Sequence, residues 1–233
     1  YFESVLSPRQ PAYLAEHRVF NQVLFPTTGY LEMGLAVGHQ VFPDQPFTLE
    51  QFEIERGLVL PESSPTKVQT LITPEDPETY RFEIFSLSPV SDTSADTQWQ
   101  RHSQGLIRLA AQVTSMPTVP LNQYQTECPH RCEVTAHYRR CRQHQIDYGS
   151  SFQGIQQLWQ GDGQALAQLQ LPMPLVGDSA DYDIHPALLD AALQVLSAIN
   201  PGTDTTTTYL PVAIERFEVY RRPSLSLWAF GQW

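Results

Sequence analysis

The chain is short of positive charge. Lys and Arg number 14 against 25 Asp and Glu, for a net charge of −11. That excludes a broad, sequence-independent nucleic-acid surface, which needs clustered cations. Long apolar runs are missing too: no stretch of about 18 apolar residues occurs, so no membrane-spanning helix is expected. Tyr1-Phe2-Glu3-Ser4 has neither the basic region nor the apolar run of a secretory leader, and there is no initiator Met. The expectation is a domain excised from something longer. Cysteine is scarce and odd in number, three in 233 residues. That suits a reducing, cytoplasmic setting better than a disulfide framework. There is no Gly-x-Ser-x-Gly elbow, no His-Glu-x2-His and no phosphate loop.

What is present is enough apolar sequence, 41%, to bury a core as one large domain or two small ones. Residues 1–16 read as extended and proline-punctuated. Val19–Phe25 reads as a strand. Pro26 then opens a helix over Thr28–Gln40, a place where proline costs no hydrogen bond. Short strands are expected at Phe47–Ile54, Gly57–Val59, Thr66–Thr73, Tyr80–Ser86 and Gln98–Ala111, with a polar loop at Ser88–Thr97. The Thr66 and Tyr80 segments alternate apolar with polar, so each has one wet and one buried face. Residues 114–132, with Pro117 and Pro120, read as a linker. A basic helix at Val134–His144, strands at Ile155–Gln160 and Gly163–Gln170, and a second proline-led helix at Pro186–Ile199 follow. A Gly/Thr-rich loop, Asn200–Thr208, precedes strands at Val212–Tyr220 and Ser226–Phe230. The order implies an α+β fold of two similar halves, 1–113 and 133–233, each an antiparallel sheet wrapped round one helix.

Two units invite chemistry. His17 stands just ahead of the first apolar strand, and His185-Pro186 opens a helix that places Asp190 among Leu188, Leu189, Ala191 and Leu193. Gln194, four residues on, shares its helical face. Taken alone, a lone histidine is usually a packed or solvated residue, and a helical carboxylate is usually solvated. Cys128, His130, Cys132, His137, Cys141 and His144 crowd one stretch, but they lack paired Cys-x2-Cys spacing, and no metal site is expected.

In register, the motifs resemble the dehydratase domain of a modular polyketide synthase. The family's His-x3-Gly-x4-Pro stands here as His17, Asn21 and Pro26. Its Asp-x3-Gln/His stands as Asp190 and Gln194, after His185-Pro186. Its Tyr-Gly-Pro-x-Phe stands as Tyr148-Gly149-Ser150-Ser151-Phe152, and its Leu-Pro step as Leu210-Pro211. The resemblance implies a double hotdog fold, with His17 in the N-terminal half facing Asp190 in the C-terminal half. Asn21 replaces the family's glycine, and Asn tolerates positive φ better than most residues. Ser150 replaces proline in a turn and should loosen it slightly. The family carries further strands beyond the point where Trp233 stands, so the last sheet is expected to be incomplete.

The function so implied is dehydration of a 3-hydroxyacyl thioester to a 2-enoyl thioester. Hydroxide is a poor leaving group, so the reaction needs an acid as well as a base. An ordinary imidazole suits the base, here His17, and a buried, protonated carboxyl suits the acid, here Asp190. Gln194 would orient Asp190. Tyr148 and Gly149 would support the site. Pro26, Gly29, Phe152, Leu210 and Pro211 would line the substrate path, with free N–H groups at the start of the helix near Thr28 and Gly29. No dissociable cofactor is implied, because the substrate arrives on the phosphopantetheine of an acyl carrier protein. Implied partners are that carrier, neighbouring synthase domains and a second copy in a homodimer, with neither nucleic acid nor membrane. Two alternatives are a double-bond-shifting or cyclising domain that uses the same base, and an inactive domain kept for dimerisation or carrier docking.

Overall fold

The computed structural model describes residues 1–88, 98–110, 120–199 and 207–233. In chain order these form β1 (Phe2–Leu6), β2 (His17–Val19), β3 (Gln22–Val23), α1 (Thr27–Val41), β4 (Phe47–Ile54), β5 (Thr66–Asp76), β6 (Thr79–Ser88), β7 (Gln98–Leu109), α2 (Leu121–Glu127), β8 (His130–Cys132), α3 (Val134–Gln143), β9 (Ile146–Tyr148), β10 (Ile155–Gly161), β11 (Gln164–Gln170), α4 (Pro186–Gln194), α5 (Leu196–Ile199), β12 (Ala213–Glu218) and β13 (Ser226–Gln232). Among the described residues, no helix is long and apolar enough to cross a membrane.

The chain forms two compact units that interleave along the sequence. The first holds Tyr1–Ala15, Gln22–Thr114 and Pro211–Tyr220; the second holds Glu16–Asn21, Ser115–Leu210 and Arg221–Trp233. These units differ from the expected division into 1–113, a 114–132 linker and 133–233. Strand pairing is the reason. Backbone pairing of His17 with Tyr148, Arg18 with Asp147 and Val19 with Ile146 draws the His17 segment into the second unit. Pairing of β12 with β4 draws Ala213–Glu218 into the first. Residues 114–119 of the expected linker lie outside the described residues, and the remainder carries α2 and β8. Pro120 does not break α2; it precedes it in an extended conformation, ψ 129°, at a position where no N–H is needed.

In the first unit, a six-stranded antiparallel sheet runs in the order β1-β5-β6-β7-β4-β12. Its inner face closes on α1, which buries Tyr30, Leu31, Leu35 and Val37. Leu49, Phe52, Phe82 and Ile84 are all buried in the sheet, and the Phe52 and Phe82 rings stack with centroids 6.3 Å apart. Gly105 of β7 must lack a side chain, because a Cβ there would sit 2.7 Å from the Phe82 ring. The 1–16 segment is more ordered than its prolines suggested, since β1 pairs with β5 from Phe2↔Thr70 to Leu6↔Thr66. Gly57–Val59 is reduced to a single bridge, Leu24↔Val59.

In the second unit, an antiparallel sheet of order β13-β11-β10-β8 packs against α4 and α5. Ala165, Leu166, Ala167 and Leu169 of β11 are fully buried, and Trp159 stacks on Trp228. The helix expected over Pro186–Ile199 breaks at Val195. There Ser197 Oγ donates to the Gln194 carbonyl at 2.8 Å, so a side chain takes a carbonyl near the break. The strand expected over Val19–Phe25 is likewise interrupted, because Phe20 and Asn21 take φ of 49° and 61°. The positive φ allowed for at Asn21 is therefore adopted. Of the expected loops Ser88–Thr97 and Asn200–Thr208, residues 89–97 and 200–206 lie outside the described residues.

Candidate active site

The second unit gathers His17, Tyr148, Gly149, Phe152, Asp190 and Gln194. Pairing of β2 with β9 sets His17 opposite Tyr148. A short 3-10 turn, Ser150–Phe152, then packs on α4. His17 is buried between two rings, 5.0 Å from the centroid of Phe152 and 5.6 Å from that of Tyr148. Asp190 comes from the buried face of α4, which proline starts and the His185 side chain caps by accepting from the Ala187 N–H. Its Oδ1 lies 3.9 Å from His17 Nε2. That is beyond a hydrogen bond and close enough for both groups to act on one small substrate.

Gln194 Nε2 donates to Asp190 Oδ2 at 2.8 Å and to the Phe152 carbonyl at 3.0 Å. The Phe152 carbonyl can only accept, so the amide has one workable orientation, with its NH2 toward Asp190 Oδ2. Oδ2 therefore stays an acceptor, and a proton on Asp190 belongs on Oδ1, the oxygen turned to His17. Burial raises the Asp190 carboxyl above its ordinary range, against the smaller opposing effects of His17 and the Gln194 hydrogen bond. Burial, and then the Asp190 charge, also raise the Tyr148 phenol.

Pro26, Gly29 and Pro211 belong to the first unit, where Thr27 Oγ1 donates to the Pro211 carbonyl at 2.8 Å. The Gly29 N–H is already used, donating to the Pro26 carbonyl at 2.9 Å, so the free donor expected there is not free. Leu210 is a half-buried residue at the end of a second-unit segment. Among the described residues, no three His, Cys, Asp or Glu side chains converge as a metal ion would require.

Sequence reasoning missed Glu16. Its Oε2 accepts from the Ser151 N–H at 2.7 Å and Ser150 Oγ at 3.0 Å, and its Oε1 accepts from Ser151 Oγ at 2.9 Å. The available signal was adjacency to His17, which is no signal without a structure.

Comparison with known proteins shows the family of the chain. The model described as "Polyketide synthase dehydratase N-terminal domain" matches residues 117–233, and the "Polyketide synthase dehydratase domain" matches residues 1–87. The chain belongs to the polyketide synthase dehydratase family. Its fold class is the α+β double hotdog of that family. It is similar to polyketide synthase GfsE of Streptomyces halstedii, 31% identical over 196 residues, covering 84% of this chain and 5% of that protein. The dehydratase thus spans a small fraction of the length of such curated relatives. Among solved structures, the dehydratase domain from the CurF module of curacin polyketide synthase is 41% identical, with a TM-score of 0.92 over 99% of this chain and 81% of that one. The CurK dehydratase is 42% identical, with a TM-score of 0.91 and the same coverage. CurK has also been solved as two inactive mutants, one replacing a histidine by Phe and one an aspartate by Asn.

Proposed function

We propose that this dehydratase removes water from a 3-hydroxyacyl thioester carried on an acyl carrier protein, giving a 2-enoyl thioester during polyketide elongation. The observation that carries the reading is the buried pair His17 Nε2 and Asp190 Oδ1, 3.9 Å apart. His17 takes the proton from the α-carbon, and the C–H electrons become the new double bond. The β C–O bond breaks, and Asp190 gives its proton to the departing oxygen, which leaves as water. Reprotonation of Asp190 and release of the proton from His17 close the cycle. Gln194 holds Asp190 so that its proton faces the reaction, and the Tyr148 and Phe152 rings wall the base.

The inactive CurK mutants support the choice of this pair. Their two replaced positions are separated in that chain by the same number of residues as His17 and Asp190 are here. The retained acid favours dehydration over a double-bond shift, which has no hydroxyl to protonate. Carrier protein, neighbouring synthase domains and a second copy are the partners this reading implies. For the second copy, β1 ends the sheet order of the first unit and exposes Phe2 and Val5, as a strand open to pairing does.

The test is incubation with a 3-hydroxyacyl pantetheine thioester, followed by mass spectrometry. Loss of one water per substrate is expected. Migration of a double bond without loss of water, or no reaction with any hydroxyl stereoisomer, would overturn the reading.

A further inference from the structure

One residue touches His17 directly and reaches Asp190 through Gln194. The Phe152 ring lies 5.0 Å from the His17 ring, and its carbonyl accepts from Gln194 Nε2, which in turn holds Asp190. The position of Phe152 therefore sets base and acid in one frame. What holds Phe152 is the turn that precedes it, and what holds the turn is Glu16. Both carboxylate oxygens are used, by the Ser151 N–H, the Ser151 hydroxyl and the Ser150 hydroxyl. The Glu16 backbone carbonyl takes the Gly149 N–H at 2.8 Å. Gly149 leaves the space for this, since a Cβ there would fall 2.5 Å from Glu16 Oε2.

We propose that Glu16 is a positioning residue: its carboxylate clamps the Gly149–Phe152 turn to the strand carrying His17, and so fixes the base relative to the acid. The clamp also accounts for Ser150. Where a proline would stiffen the turn through its backbone, a serine here ties it down through its side chain. Burial alone would raise the Glu16 carboxyl, but the hydrogen bonds from Ser151 and Ser150 outweigh it and hold it below the usual range. It is therefore an ionised acceptor at neutral pH, the stronger kind.

The inference rests on the proposed roles of His17 and Asp190, and three variants separate the two claims. Glu16→Ala removes every side-chain acceptor; kcat should fall by about 10- to 100-fold, as small misplacements of reacting groups do, with KM little moved. Glu16→Gln keeps an oxygen for the Ser151 N–H and Ser150 hydroxyl, and its amide can donate to Ser151 Oγ. It should therefore restore most of the lost kcat. Glu16→Ala with wild-type kcat, or Glu16→Gln as damaging as Glu16→Ala, overturns the clamp. The His17→Ala variant is the control: if it keeps full turnover, the reading of the site fails whatever Glu16 does. A readout independent of turnover is amide exchange at Ser151 together with the Gln194 side-chain NH2 resonance. Both should change in Glu16→Ala, and constancy of both would also overturn the proposal.

Discussion

His17 Nε2 and Asp190 Oδ1 face each other across 3.9 Å with both side chains buried. The gap is too long for a hydrogen bond, so neither group neutralises the other by sharing a proton. It is short enough for one substrate to meet a base and an acid together. Substitution at either end should therefore remove chemistry without unfolding the domain.

For His17, the expected result is direct. β2 is held to β9 through backbone pairing, which His17→Ala does not remove. Turnover should fall by about 10²- to 10⁴-fold, the usual contribution of a positioned base, while the circular dichroism spectrum keeps its wild-type shape. A fully active, folded His17→Ala protein would remove His17 from the mechanism.

Gln194 tests orientation rather than proton transfer. It reaches Asp190 Oδ2 and the Phe152 carbonyl with one nitrogen. Gln194→Ala leaves Asp190 in place but free to turn, so the rate should drop by less than in Asp190→Asn. Gln194→His retains a ring N–H that can donate to Oδ2 and should be milder still. Steady-state rates for the three variants decide it: a His variant as poor as Asp190→Asn would contradict an orienting role.

Much of this was legible in the residues, because the elements follow periodicity. The Thr66 and Tyr80 segments alternate and became β5 and β6, and prolines at 26 and 186 stand where α1 and α4 begin. The motifs single out His17, Asp190, Gln194, Tyr148 and Phe152. What could not be read was tertiary. Nothing in the local sequence says that His17–Val19 pairs with residues more than a hundred positions away, drawing Glu16–Asn21 out of its own half. Helix α2 was hidden because its prolines suggested a linker, and Leu121–Glu127 buries none of its residues to mark a face. Glu16 was invisible because its partners, Ser150 and Ser151, are ordinary polar residues until the fold folds the turn onto it.

The cysteine- and histidine-rich stretch yields a metal-removal prediction. Cys132 Sγ donates to Gln160 Oε1 at 2.9 Å, and His144 Nδ1 meets the Thr207 carbonyl at 2.8 Å. Burial pushes the Cys141 thiol up to about 11 and His137 down to about 4. A neutral thiol is a poor ligand, since metals bind thiolate. Melting curves with and without a strong chelator should superimpose. A lower melting temperature in chelator would reveal a structural ion.

The last prediction concerns Asp190 and pH. Its carboxyl is raised above 3.8, chiefly because burial disfavours the charge. The folded protein therefore holds this proton more tightly than the unfolded chain does. A raised group contributes stability that is fully present below its unfolded value and is lost as pH rises through its folded value. Asp190→Asn has no charge to bury, so it should gain on the wild type as pH rises from about 4, each unit of elevation being worth about 1.4 kcal/mol. The gain should level off above the folded value of Asp190. Turnover of the wild type should fall through the same pH, because the ionised carboxyl has no proton to give the departing hydroxyl. Melting temperatures of both proteins across this range, with carbonyl absorption of the wild type referenced to Asp190→Asn by infrared difference, measure both effects. If the two melting curves track in parallel and the carboxyl is fully ionised by about pH 6 while turnover persists, Asp190 is not the acid, and His17 must both take the α-proton and return it to the oxygen.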